Sequence, residues 1–262
     1  MDGLEGKIAL VTGAGSGIGA ATAARLAAAG AGGLVLADRD GLALGEVAGR
    51  LDRPGLRLLI RTADVAEERA WLALEAEVRA AFGRLDYAVA NAGVAHGEPL
   101  AEHSFDAWRR VVAVNLDGAF LTLRSALRLI RAGGRGGAIV VVASAAAVKA
   151  EPGVAAYGAS KAGALQLARV AAREGAPDRI RVNAILPGGV ETPIWRDVPF
   201  FRQLVQESGD ERAAFDRMAA LATPLGRYAT ADEVATQIAF LLSDAAATMT
   251  GAALVVDGGY TL

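Results

Sequence analysis

Cysteine is absent from this 262-residue chain, and histidine occurs only at His96 and His103. That excludes a disulfide framework and a thiolate zinc site, and no metal is expected to take part in alcohol chemistry here. Lysine is scarce as well, at Lys7, Lys149 and Lys161, although arginine is abundant. A lysine kept at position 161 marks a place for a compact point charge that a guanidinium would not fit. Charge of one sign is nowhere concentrated. With a net charge of −2 and no basic cluster, the chain offers no electrostatic case for nucleic acid or an anionic membrane. The longest apolar stretch, Ala138 to Val148, is too short to span a bilayer. Met1 to Gly6 leaves no room for a signal peptide before a first β-like run at Lys7. A soluble, cytoplasmic protein is the expectation.

What is present is apolar and rich in glycine: 53% hydrophobic residues and 32 glycines, which rules out a disordered chain. Short apolar runs at 7–12, 34–37, 56–62, 87–90, 138–143, 180–185 and 253–256 read as buried strands. Helical patterns fall between them at 18–29, 41–51, 67–82, 105–131, 155–174 and 234–242. This alternation predicts one α/β domain over residues 1–262, a doubly wound parallel sheet covered on both faces. Residues 193–224 break the rhythm, with Trp195, Phe200, Phe201, Phe215 and Met218 among many charges. The segment follows the sixth strand, beside the strand ends where such sheets bind ligands, and is read as a substrate lid. The alternative is a surface helical hairpin that only packs on the core.

Tyr157-Gly158-Ala159-Ser160-Lys161 carries the most chemical information, with Ser144 thirteen residues earlier. On a helix, Tyr157 and Lys161 share a face one turn apart. A nearby ammonium favours the phenolate, drawing the tyrosine toward use as an acid or base for an alcohol/ketone pair. A bare Y-x-x-x-K would be read as an ordinary amphipathic helix, so the surrounding motifs must decide.

Thr12 to Gly19 lies between the first strand and the first helix. Gly13, Gly17 and Gly19 suit a tight turn that lets backbone approach a pyrophosphate at the helix N-terminus, with Ser16 and Ile18 beside them. Asp38 ends the second strand nineteen residues after Gly19. A carboxylate there can accept both ribose hydroxyls and repel a 2′-phosphate, favouring NAD over NADP, although Arg39 could recruit a phosphate. Asp64 and Val65 could meet the adenine edge, and Asn91, Ala92 and Gly93 allow backbone close to a cofactor. Either group could equally be turn chemistry. Asn115 is a lone amide in an apolar run, where a buried polar group needs partners or bends its own helix.

Taken together these residues resemble the short-chain dehydrogenase/reductase family in its common form of roughly 250 residues. The resemblance spans nearly the whole chain: the 12–19 turn, Asp64, 91–93, Asn115, Ser144, Tyr157, Lys161 and Pro187-Gly188 in the family's order. It implies a Rossmann-type domain binding NAD(P), with Asn115, Ser144, Tyr157 and Lys161 as the catalytic group. Tyr157 would be the general acid/base, Lys161 would lower its pKa and bond the nicotinamide ribose, and Ser144 would hold the substrate oxygen. Asn115 would orient a water in a proton relay. Thr192 and Val190, after Pro187-Gly188, would contact the carboxamide of nicotinamide. Homotetramers are implied too, with 256–259 as an interface segment. Ala90 and Ala143 depart from the common pattern, and Lys149 and Glu151 put charges in a loop where small residues are frequent.

The expected activity is reversible hydride transfer between NAD and a secondary alcohol, on a small polar substrate such as a sugar, sugar acid or hydroxy acid. Lys149, Glu151 and His96 are candidates for its hydroxyls, and Arg196 or Arg202 for a carboxylate. A 3-oxoacyl thioester reductase is the main rival, one that would favour NADPH and a basic docking patch. An NAD-sensing regulator would need the glycine turn but not Ser144, Tyr157 and Lys161 together. A sugar-nucleotide epimerase would need more chain.

Overall fold

The computed structural model describes residues 3–51 and 53–262. Met1 and Asp2, part of the leader expectation, lie outside it. The first half alternates β1 (Ile8–Thr12), α1 (Gly17–Ala28), β2 (Gly33–Asp38), α2 (Gly41–Leu51), β3 (Arg57–Thr62), α3 (Glu68–Phe82) and β4 (Tyr87–Ala90). Then come α4 (Phe105–Val112), α5 (Gly118–Gly133), β5 (Gly137–Val142), α6 (Ala155–Gly175) and β6 (Ile180–Pro187). The chain ends through β7 (Val190–Glu191), α7 (Pro199–Ser208), α8 (Glu211–Ala222), β8 (Ala229–Thr230), α9 (Ala231–Leu242) and β9 (Ala253–Val256).

Seven strands form one parallel sheet in the order β3-β2-β1-β4-β5-β6-β9. The central strands are buried along their length because helices cover both faces, so their sequences are apolar without alternation. One core lies between the sheet and α3, α5 and α6, the other between the sheet and α1, α2 and α9. The strand order reverses between β1 and β4. A crevice therefore opens where the turn after β1 and the loop after β4 diverge.

Two features depart from expectation. The long helical region is interrupted by a π-helical turn, Ala113–Asp117, between α4 and α5. Residues 193–224, which broke the strand–helix rhythm, hold α7 and α8, a hairpin with its own small core of Phe201, Leu204, Phe215 and Tyr228. Trp195 stacks on Tyr228 with ring centroids 5.9 Å apart and planes 13° from parallel.

Candidate active site

The turn after β1 has Gly13 at φ 64° and Gly17 at φ 51°, a left-handed backbone that favours glycine. The N-terminus of α1 points into the crevice, and Ser16, at its cap, spends no side-chain hydrogen bond on the helix. Gly19 does something else. It is buried inside α1, where a Cβ would collide with the Gly13 carbonyl, so it closes the turn rather than facing a ligand. Asn91 also braces this turn, donating to the carbonyls of Thr12 (2.9 Å) and Gly13 (3.2 Å). At the end of β2, Asp38 accepts from the Gly15 N–H at 2.9 Å.

These residues border a cleft of ≈1010 Å³ that runs from Asp38 and Arg39 past Asp64 and Val65 to Asn91, Ala92 and Gly93. It continues to Ser144, Tyr157 and Lys161, with Pro187, Gly188, Val190 and Thr192 on the opposite wall. Of the cofactor and catalytic residues picked from sequence, Gly19 and Asn115 lie off this wall.

Tyr157 and Lys161 sit in the first turns of α6, and Ser144 follows β5, so two elements deliver them to one cleft. The Lys161 Nζ lies 5.7 Å from the Tyr157 ring centroid and donates to the Val142 carbonyl at 2.9 Å. Burial lowers the Lys161 ammonium to about 8. Burial also pushes the Tyr157 phenol above its ordinary value, with a Ser144 hydrogen bond acting in the opposite direction. The expectation that Lys161 depresses the phenol is therefore corrected for the protein alone. Desolvation disfavours both charged forms and is the largest cause at each.

Asn115 occupies the π turn and is buried behind the wall. Its Oδ1 accepts from the Val94 N–H (2.8 Å), and its Nδ2 donates to the Val94 carbonyl (3.0 Å) and to Ser160 Oγ (3.1 Å). It thus ties the loop after β4 to α6, and its partners are across the interface rather than in its own helix. It touches the cleft only through what it holds.

Arg196 and Arg202 are off the cleft. Arg196 forms a two-pronged pair with Glu211 (2.7 and 3.1 Å), and Arg202 donates to the Arg196 carbonyl (3.0 Å). The candidate carboxylate partners are thereby withdrawn. Lys149 does line the cleft, but its Nζ donates to the Tyr260 carbonyl at 2.7 Å and stands 3.4 Å from Glu151. Trp195, named in the lid segment, lines the cleft, and sequence reading missed the two tyrosines that join it there, Tyr228 and Tyr260. Tyr260 stood in plain view after Gly259, in a stretch taken for a subunit interface.

A glycine turn at the sheet's switch point, sharing one cleft with a Ser–Tyr–Lys group, defines a nucleotide-dependent oxidoreductase of the Rossmann type. A family model described as enoyl-(acyl carrier protein) reductase matches residues 13–261. The cis-4-hydroxycyclohexanecarboxylate dehydrogenase of Sinomonas cyclohexanicum is 43% identical over 256 residues, covering 97% of this chain and 96% of that one. Among solved structures, L-sorbose reductase from Gluconobacter frateurii, complexed with NADPH and L-sorbose, superposes with a TM-score of 0.92 at 35% identity, covering 99% and 98% of the two chains. Carveol dehydrogenase from Mycobacterium avium, in complex with NAD, gives 0.91 at 30% identity, covering 99% of each. The chain belongs to the short-chain dehydrogenase/reductase family. It is an oxidoreductase of secondary alcohols and ketones that works with a nicotinamide cofactor.

Proposed function

We propose that the protein is an NAD-dependent dehydrogenase of a small polar secondary alcohol, of the hydroxy-acid or polyol kind. The observation that carries this reading is the meeting of Ser144, Tyr157 and Lys161 at one end of a cleft whose other end holds Asp38. The residues suit the cofactor: positive-φ glycines leave backbone space at the N-terminus of α1, and Asp38 is held in place as an acceptor. Gly13, Ser16, Gly17 and Ile18 would take the pyrophosphate, Asp38 the ribose hydroxyls, and Asp64 and Val65 the adenine. Val190 and Thr192 would face the nicotinamide end.

A bound nicotinamide supplies the hydride acceptor and, in the reverse direction, the donor. Ser144 holds the substrate oxygen by a hydrogen bond and fixes its distance from Tyr157. Tyr157 takes the hydroxyl proton as the alcohol becomes a ketone and returns it in reduction. Lys161 stabilises the phenolate so formed and bonds the nicotinamide ribose. Asn115 positions Lys161 and the 93–94 backbone, and a water held there would carry the proton onward.

The hairpin of α7 and α8 is a substrate lid in this reading. Pro193, Trp195, Phe200, Met218 and Leu221 reach the cleft from it. Support for a small polar substrate comes from relatives named for a hydroxycyclohexanecarboxylate and for sorbose. We place the protein in the cytoplasm as a homotetramer. No helix among the described residues is long and apolar enough to cross a membrane, and Phe105, Phe120 and Val170 are exposed apolar side chains on α4, α5 and α6 that a partner subunit would cover.

The test is NAD⁺ reduction measured across cyclic hydroxy acids, polyols, sugar acids and 3-hydroxyacyl thioesters, each repeated with NADP⁺. Turnover confined to the thioesters with NADP⁺ would replace this reading with the acyl-carrier-protein reductase alternative.

A further inference from the structure

We infer that His96, Glu98 and His103 form a binding site for a divalent transition-metal ion of the zinc, cobalt or nickel kind, at the rim of the cleft. The chain has two histidines, and the fold brings both to one place with ring centroids 5.0 Å apart, edge to face. Between them stands a carboxylate: His96 Nε2 and Glu98 Oε2 are 3.2 Å apart. Ligands at about 2.0–2.2 Å from a tetrahedral ion lie about 3.3 Å from one another, so this pair already has the required spacing. One donor atom from each of the three residues lies within 4.8 Å of the others, so His103 completes the set with a side-chain shift of about 1.5 Å or less.

A second observation points the same way. Both ring nitrogens of His103 are shielded from solvent, and neither has a hydrogen-bond partner among the described residues. Buried polar atoms are nearly always partnered, and one that is not calls for an explanation. A ligand position supplies one. The expectation that no metal takes part in the chemistry rested on the lack of cysteine and the presence of only two histidines, and it did not weigh a carboxylate beside both imidazoles. That donor set suits zinc, cobalt and nickel better than calcium or magnesium, which prefer all-oxygen shells.

The location gives the ion a structural consequence. The Glu98 N–H donates to the Gly153 carbonyl at 2.8 Å, and Glu98 bridges to Val154, next to the start of α6. Ser104, the residue after His103, caps α4. An ion held by these residues would pin the loop after β4 between α4 and the helix that carries Tyr157. His96 lines the cleft, so the face of the ion left open by three protein ligands would look toward it. Tyr157 and Lys161 are not among the ligands, and the ion is separate from the proton chemistry.

Tag-free protein stripped with a chelator and titrated with Co²⁺ tests this directly. A visible d–d band saturating at one ion per chain, and displaced by Zn²⁺, is the expected result. His103→Ala and Glu98→Gln should each weaken binding by more than the roughly 10–100-fold that outer-shell changes bring. Co²⁺ should also raise the unfolding temperature of the wild type but not of His103→Ala. Circular dichroism establishes that the variants fold, and if one does not, the other carries the test. Absence of a saturable band in folded wild type, or an unchanged band and affinity in a folded variant, would overturn the site and leave the two histidines as a packed pair joined by Glu98.

Discussion

Asp38 is moored to the glycine turn: its Oδ2 accepts from the Gly15 N–H at 2.9 Å, and its Oδ1 accepts from the Asp40 N–H at 3.0 Å. The carboxylate thus has a fixed direction before any nucleotide arrives. Under the proposed function a free ribose would meet an acceptor there, and a 2′-phosphate would meet a fixed negative charge. In Asp38→Ser, kcat/KM with NAD⁺ is expected to fall about 10–100-fold, the equivalent of losing one hydrogen bond to a charged group. The NADP⁺ value should rise, with Arg39 then free to pair the phosphate. A variant whose cofactor ratio equals that of the wild type contradicts the assignment.

All four tyrosines of the chain are held above the ordinary phenol value, chiefly by burial. The protein alone should therefore show little tyrosinate absorption at pH 10. With NAD⁺ added, the cationic ring joins Lys161 in favouring the phenolate, and one tyrosine should ionise at lower pH. Tyr157→Phe should abolish that step and lower kcat by about 10²–10⁴-fold. A variant that keeps near-normal turnover removes Tyr157 from the chemistry.

Lys161 carries a linkage prediction of opposite sense to most ion pairs. Its pKa falls from 10.5 to about 8 on burial, so the folded protein releases a proton that the unfolded chain keeps between those values. Stability then rises with pH across that window and is lowest, for this group, below pH 8. At pH 7 the buried ammonium costs at most about 3 kcal/mol, taking 1.36 per unit. Lys161→Met should therefore be more stable than the wild type at pH 7 in the absence of cofactor, while being inactive. Urea unfolding at pH 7 and above pH 9 measures it, and the gap should narrow at the higher pH. A gap that widens instead would show that the ammonium is stabilised where it lies.

The sheet was legible because its strands are buried on both faces and read as unbroken apolar runs. The cleft was legible for a related reason: such sheets open their crevice at the C-terminal strand ends, where Asp38, Asn91 and Ser144 stand and line it. Gly19 could not be sorted from Gly17 in the sequence, since both positions demand glycine, one for φ and the other for helix–turn contact. Asn115 had the right signature, a polar residue in an apolar run, but its partners Val94 and Ser160 lie 21 and 45 positions away. The two helices of the hairpin were not placed because α7 and α8 bury their aromatic residues against each other and Tyr228 rather than against the sheet, outside the strand–helix alternation that located the other elements.

Trp195 is the joint between that hairpin and the cleft. Its ring stacks on Tyr228 and meets Phe201 and Phe215 at 6.0 and 6.5 Å, while its Nε1 donates to the Val190 carbonyl at 2.9 Å. The last contact reaches β7, whose Val190 lines the cleft. Trp195→Ala removes the stack and the hydrogen bond together, a change of about 3–5 kcal/mol when a Trp is fully buried and less here, since the residue is only partly so. Because the satellite core of α7 and α8 is separate from the two cores against the sheet, the loss should stay local. KM for substrate should rise at least tenfold with a smaller change in kcat, and limited proteolysis should cut first within 193–224 while the sheet domain survives. NAD⁺ affinity, set mainly at Asp38 and the glycine turn, should move little. If KM is unchanged while that segment is cleaved faster, the hairpin only packs against the domain and is no substrate lid.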